Sequence, residues 1–240
     1  MPKFLLLLFL IPSLVIGQNR KKKDYLVSLN TQYGTMRLVL YDQTPKHKEN
    51  FIKLVDQKFY DSLLFHRVIP MFMIQGGDPN SRKAQADQPL GNGSNGYKVP
   101  AEFVPTLFHK KGALAAARDG NPEKASSGCQ FYIVQGRVWD DAGLQTQLKR
   151  VEAMKGHVPT DEQKQVYKTL GGAPHLDGNY TVFGEVIDGL AIVDSVAKQP
   201  RNEMDRPEKD VRMSMTGQWV KKKKITKQYH YQYVGVRSEK

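Results

Sequence analysis

From Tyr25 onward the apolar residues fall on every second position, and this period narrows the fold more than any other feature of the chain. Tyr25, Val27 and Leu29 recur at every second position, Met36, Leu38 and Leu40 repeat the pattern, and Gly34 lies in the turn region between them. Successive side chains of an extended segment point to opposite faces, so two such runs in sequence predict an antiparallel hairpin with one buried face. The segments FHRVI, MFMIQ, GALAAA, QFYIVQG, YTVFGEVI and DVRMSMTGQW are likewise short, rich in β-branched or aromatic residues and bounded by Gly or Pro. Two stretches break the period. In TPKHKENFIKLVDQ, Thr44 suits a helix cap, Pro45 the first helical position, and Phe51, Leu54 and Val55 form an apolar stripe. GLAIVDSVAKQ supplies a second amphipathic helix. Many strands and few helices predict a mainly β fold, a closed or sandwiched sheet core with capping helices.

Between Trp139 and Pro174 the pattern turns helical. Leu144, Leu148 and Val151 share a face before Gly156, and Thr160 with Gln163 makes a capping box for a helix ended by Gly171 and Gly172. This predicts a helical hairpin, residues 140–173, inserted in a β domain. The formal charge of the 240 residues, +12, sits at the two ends of the chain, in Lys3, residues 20–23 and residues 218–240, and leaves residues 24–217 nearly neutral. A nucleic-acid partner is therefore not expected, and the basic runs are read as solvated. Residues 219–240 form a basic, Tyr-rich extension; Tyr229, Tyr231 and Tyr233 alternate as on a strand behind four lysines, which predicts a mobile or surface-laid tail. Residues 1–17 have a lysine, an unbroken apolar run and small residues at Val15 and Gly17, the pattern of a secretory signal cleaved after Gly17, with an uncleaved membrane-surface anchor as the alternative. Residues 18–24 are a basic linker and residues 25–218 the globular domain.

Several chemistries lack their residues. GNGSNG at 91–96 has dinucleotide-loop spacing without the strand before it or the helix after it, and reads as a flexible glycine loop. The six histidines include no pair at metal-ligand spacing and Cys129 is the sole cysteine, so neither a metal, another cofactor nor a disulfide is expected. Cys129 itself reads as a small buried apolar residue. No G-x-S-x-G elbow supports a serine nucleophile.

What remains is FHRVIPMFMIQGGD at 65–78, an apolar run carrying a guanidinium that is costly to bury without partners. Followed in order by SSGCQFYIV and HLDGNYTVFGEV, it resembles the signature segments of the cyclophilin-type peptidyl-prolyl cis-trans isomerases over roughly residues 25–218, the helical insertion apart. The fold this resemblance implies is an eight-stranded antiparallel closed barrel capped by two helices. The activity it implies is rotation of X-Pro bonds in proline-containing polypeptides. That rotation is held back by a barrier of about 18 to 20 kcal/mol because resonance keeps the amide planar. No nucleophile is needed; the enzyme must bind the twisted amide better than either planar form.

By resemblance, Arg67 is the catalytic donor to the prolyl nitrogen, and Gln75 positions it. Phe72, Met73, Tyr132 and Leu176 line the proline pocket, and Ala117 and Gln130 match substrate-contacting positions. The chain departs from the family at three places: His175 stands where tryptophan is common, Tyr180 where histidine is, and Tyr132 where phenylalanine is usual. Tyrosine keeps an aromatic wall, whereas His175 removes an indole that in the family helps hold cyclosporin, so weak cyclosporin binding is expected. Similarity to exported bacterial members with insertions points to the periplasm, with a membrane-anchored form or a eukaryotic secretory lumen as alternatives, and to a monomer. A non-catalytic proline-peptide binding module or chaperone using the same groove is the other functional reading.

Overall fold

The computed structural model describes residues 22–233. Ten strands alternate with five α-helices among these residues: β1 (Lys23–Thr31), β2 (Gly34–Leu40), α1 (Pro45–Asp56), β3 (Phe65–Ile69), β4 (Met73–Gly76), β5 (Lys98–Val99), β6 (Ala113–Ala116), β7 (Ser126–Ser127), β8 (Phe131–Val134), α2 (Asp141–Ala153), α3 (Asp161–Thr169), β9 (Val182–Asp188), α4 (Leu190–Ala197), β10 (Ser214–Lys221) and α5 (Lys222–Tyr229). Short 3-10 turns at Pro79–Lys83 and Pro174–Leu176 complete the set. The signal-peptide and cleavage expectations, and the end of the C-terminal extension, lie outside the described residues.

Eight strands form one sheet in the order β10-β1-β2-β9-β6-β8-β4-β3, and β5 with β7 forms a second, two-stranded ladder. The strand count matches the expectation, but the closed ring does not: the sheet is a curled, open half-barrel with β10 and β3 at its ends. The stretch at 200–210 runs as turns and bends, so the chain straightens only as it reaches β10 and builds no continuous ladder with β3. What joins the edges is a few backbone bonds between the start of β3 with the residues before it and the residues before β10: Ser62 N–H to Met213 O at 2.9 Å, Met213 N–H to Leu63 O at 2.8 Å and Phe65 N–H to Val211 O at 2.9 Å.

The alternating residues of β1 and β2 face one core, where Val27, Leu29, Met36 and Leu38 meet Phe51, Leu54 and Val55 of α1 and Val193, Val196 and Ala197 of α4. Pro45 opens α1 as expected, but Thr44 does not cap it with its side chain, and its hydroxyl donates to Tyr41 O instead. The cap comes from a distant loop. The carboxylate of Glu102 accepts the N–H groups of Lys46 at 3.1 Å and His47 at 3.0 Å and meets His47 Nδ1 at 2.7 Å, satisfying two donors that a helix start otherwise leaves open.

The insertion is a helical hairpin. Asp140 caps α2 by accepting from Gly143 N–H, and the Thr160–Gln163 capping box is present at α3. Leu144 and Leu148 pack with Trp139 and Tyr167 in a small core of their own. Gly171, at a φ of +93°, ends α3.

Tyr25–Gln218 form one compact unit; the described part of the other consists of residues 22–24 and 219–233. In this second unit part of the extension is a helix, which the alternating tyrosines did not announce. Lysine is a good helix former, and Lys222–Tyr229 is helical, with Lys222 N–H bonded to Lys22 O at 2.9 Å and the Tyr231 and Tyr233 rings edge to face at 4.8 Å.

Because Glu102 holds α1 from outside the helix, Glu102→Ala should lower unfolding free energy by about 1 kcal/mol, the usual cost of a lost cap. Urea denaturation measures it; an unchanged midpoint would show the cap to be dispensable.

Candidate active site

Directly paired residues on neighbouring strands share a face, and one such row crosses four strands. Arg67 in β3 pairs with Gln75 in β4, Gln75 with Tyr132 in β8, and Tyr132 with Ala115 in β6. The next row points inward: Val68, Ile74, Ile133 and Leu114 are fully buried in the α1-side core. The Arg67 row lies on the outer face instead, among Met73, Ala113, Ala117, Val134, Leu176 and Val182, with Phe72 and Tyr180 against them.

Over this face lies a groove of about 300 Å³ lined by Arg67, Phe72, Met73, Gln75, Ala117, Tyr132, Leu176 and Tyr180, eight of the ten residues named from sequence. Gln130 lines an adjoining hollow of about 390 Å³ that shares Gln75, Ala117 and Arg118 with the first. His175 lines neither; its ring lies against Phe72 at 5.4 Å between centroids. Arg67 is not buried, its side chain being 41% exposed. Its Nη1 donates to Gln75 Oε1 at 3.5 Å, Gln75 Nε2 donates to Gln130 Oε1 at 3.1 Å, and Gln130 Nε2 donates to the carbonyls of Gly91 and Gly93, each at 2.8 Å. On its other side Arg67 Nε lies 3.5 Å from Asp205, which also meets Arg201 at 3.5 Å.

The GNGSNG loop is therefore tied into the site. Besides Gln130, the Asp78 carboxylate accepts the N–H groups of Gly91 and Gly93, and a Cβ on Gly93 would strike that carboxylate at 1.8 Å. The tie is invisible locally because Asp78 and Gln130 are 15 and 37 residues from Gly93.

The groove also uses residues the sequence reading passed over. His66 lines it beside Arg67, although strand alternation would put neighbours on opposite faces; the ladder shifts register between Phe65 and Arg67, and this bulge turns both inward to the groove. Arg118 follows Ala117, its guanidinium lying 4.6 Å from the centre of the Tyr180 ring and its Nε donating to Asn179 O. Leu90, Asn92 and Met204 complete the rim. Position next to a named residue was the available signal for His66 and Arg118; Met204 and Asp205 had none. The turn before β4 is clamped by Gln135, whose Oε1 accepts Met71 N–H at 2.6 Å while its own N–H and that of Gly136 bond Phe72 O at 3.0 Å.

Burial lowers the pKa of His66 to about 4, with Arg67 adding to the effect and Asp78 opposing it. Burial likewise takes His175 to about 4, with the nearby His109 and Arg150 adding to the effect. Both rings are thus neutral near pH 7. Burial and then the nearby Tyr180 and Asp177 raise the Tyr132 hydroxyl well above its ordinary range, so it keeps its proton. Cys129 is buried, and burial raises its thiol, as suits a packing residue rather than a nucleophile.

The family described as "Cyclophilin type peptidyl-prolyl cis-trans isomerase/CLD" matches residues 26–218. Among curated proteins, one from Streptococcus pyogenes that carries the name of a bifunctional phosphatase/peptidyl-prolyl cis-trans isomerase is 36% identical over 188 residues, 77% of this chain and 37% of that protein. Peptidyl-prolyl cis-trans isomerase-like 2 of Rhizopus delemar is 32% identical, covering 83% of this chain and 30% of its own length. A Staphylococcus haemolyticus protein named as a peptidyl-prolyl cis-trans isomerase is 33% identical over 77% of this chain and 86% of its own. The chain thus spans about a third of the first two and most of the third. In fold it is similar to a crystal structure of a cyclophilin-type isomerase from Cryptosporidium parvum, with a TM-score of 0.59, 23% identity, and coverage of 82% of this chain and 98% of that one. The chain belongs to the cyclophilin-type peptidyl-prolyl cis-trans isomerase family.

Proposed function

We propose that this chain accelerates rotation about X-Pro bonds in polypeptides, with Arg67 stabilising the twisted amide. The observation that carries the reading is one row of the sheet: a half-exposed guanidinium, hydrogen-bonded to Gln75, stands beside an apolar wall of Phe72, Met73, Tyr132 and Leu176. A proline ring seated on that wall brings its nitrogen under Arg67. As the bond twists, resonance is lost and the nitrogen regains a lone pair, which a guanidinium N–H can engage only in that state. Arginine suits the role because it stays charged and offers donors in a fixed plane. The Gln75–Gln130–Gly91 chain limits where the guanidinium can swing, so little reorganisation accompanies the reaction. Met71, in the turn before the pocket, is held by Gln135, which keeps Phe72 on the rim. The exported setting belongs to the same proposal and rests on the signal-like pattern of residues 1–17, Lys3 before an apolar run that ends at Val15 and Gly17, and on the resemblance to exported members.

Exchange of a proline tetrapeptide followed by NMR tests the reading. Wild type should broaden the cis and trans signals, and Arg67→Ala should cut kcat/KM on the order of a thousandfold if the contact supplies about 4 kcal/mol in the transition state. Uncatalysed exchange in the presence of wild type, with the peptide still bound, would make the chain a binding module instead.

Cyclosporin should bind weakly, because His175 presents a small ring to Phe72 rather than an indole to the groove. In a fluorescence titration His175→Trp should tighten binding about tenfold or more, a difference of about 1.4 kcal/mol; tight binding by wild type would refute this.

The buried histidines set a pH dependence. His66 and His175 have folded-state pKa values lowered from 6.5 to about 4, so their neutral forms favour the folded state above about 6.5, and that stability is lost as the pH falls from 6.5 through 4. Urea midpoints should fall across this window, and His66→Gln should flatten the slope. A midpoint constant from pH 7 to 4 would contradict the assignment.

A further inference from the structure

Behind the groove a chain of four buried polar side chains runs from the helical insertion to the wall of the pocket. Tyr167, in α3, donates its hydroxyl to Asp177 Oδ2 at 2.6 Å. Asp177 Oδ1 accepts the backbone N–H of His109 at 2.9 Å and lies 2.8 Å from His109 Nδ1. On the far side of the ring, His109 Nε2 is 2.9 Å from the Tyr132 hydroxyl. All four residues are at most 4% exposed.

A carboxylate only accepts, so His109 Nδ1 donates to Asp177, and the other ring nitrogen is left to meet the Tyr132 hydroxyl. The hydroxyl by which Tyr132 differs from phenylalanine is thus turned away from the groove and tied to His109. The Tyr132 and His109 rings lie 12° from parallel, 6.0 Å apart, and the groove receives the aromatic body of Tyr132 rather than its polar end.

We infer that Tyr167 is a positioning residue for the proline pocket, acting through Asp177 and His109 to fix the Tyr132 ring; this rests on the isomerase reading of the groove. Packing alone does not account for the arrangement. The Tyr167 ring already serves the insertion's apolar cluster and meets Phe108 edge to face at 5.4 Å. Its hydroxyl adds nothing to that contact and is committed to Asp177. In a buried chain, loss of one donor leaves a polar atom unsatisfied, and the loss is felt by the next bond along.

Tyr167→Phe keeps the packing and removes only the donor. The test compares wild type, Tyr167→Phe, Tyr132→Phe and the double variant by kcat and KM for a proline tetrapeptide, by its Kd in an NMR titration, and by the ¹⁵N resonances of the His109 ring. Tyr167→Phe should raise KM and Kd about fivefold, equivalent to about 1 kcal/mol or one net hydrogen bond, with kcat within about twofold of wild type. The His109 resonances should move. Tyr132→Phe should raise KM similarly, and adding Tyr167→Phe to it should change KM no further. Additive effects, or an active Tyr167→Phe with wild-type KM and unmoved His109 resonances, would overturn the inference. If Tyr167→Phe fails to fold, Tyr132→Phe alone decides from the other end: unmoved His109 resonances and unchanged Kd overturn it. A wild type without turnover overturns the isomerase reading instead, while Kd and the His109 resonances still decide whether Tyr167 acts on the pocket.

Discussion

The pairing of Arg67 with Gln75, and of Gln75 with Tyr132, governs the rest of the site, because a strand's two faces alternate and a slip of one residue exchanges them. The inner row makes such a slip costly. Val68, Ile74, Ile133 and Leu114 are all fully buried, and returning each to water costs about 1.5 to 3 kcal/mol. Four together approach the whole stability of an ordinary domain, about 5 to 15 kcal/mol. The core that never touches a substrate therefore fixes which face carries the guanidinium. The Gln135 clamp on the turn adds a polar check on the same register, since Met71 N–H and Phe72 O would lose their partners if β4 moved.

The charge of Arg67 is balanced without being consumed. Its contacts to Gln75 and to Asp205 are both at 3.5 Å, long for charge-assisted bonds. Asp205 also divides its charge with Arg201. A tight bidentate partner would hold the guanidinium still but occupy the donors that the proposed contact to a twisted amide needs. Two long contacts on opposite sides restrict its direction and leave donors open. Water screens the group while the groove is open; on the proposed reading, a peptide covering it would remove that water and strengthen the remaining interaction.

Much of this was legible in the sequence where the signal was local. Period two marked β1 and β2, short runs bounded by Gly or Pro marked the other six strands of the main sheet, and the Thr160–Gln163 box marked the start of α3. The ordered motifs brought eight of ten named residues to one groove. What escaped was set by partners far along the chain. The cap of α1 is Glu102, more than fifty residues away, rather than the adjacent Thr44. The glycine loop looked free because Asp78 and Gln130 hold it from elsewhere. His66 defied the alternation on which strand reading relies, through a bulge that no residue type announces. The strands β5 and β7 are two residues each, too short to show a period. The alternating tyrosines behind the four lysines gave no sign of the helix at Lys222–Tyr229, where lysine's own helix propensity prevails.

The position of the insertion in the chain has a physical consequence of its own. It leaves the domain after β8, which carries Tyr132, and returns at the 3-10 turn that carries Leu176, so both of its ends are walls of the groove. The two ends are fastened to each other and to His109: Gly172 N–H bonds Arg137 O at 3.0 Å, and Ala173 N–H bonds His109 O at 2.8 Å. Gly136 and Gly172 pass so closely that a Cβ on Gly136 would lie 2.4 Å from the Gly172 Cα, and Trp139 Nε1 bonds Gly172 O across the same junction. A helical hairpin on a loose stalk would leave Tyr132 and Leu176 to the sheet alone. Fastened in this way, α3 is joined through Tyr167 to Asp177, Asp177 to His109, and His109 to the Tyr132 hydroxyl.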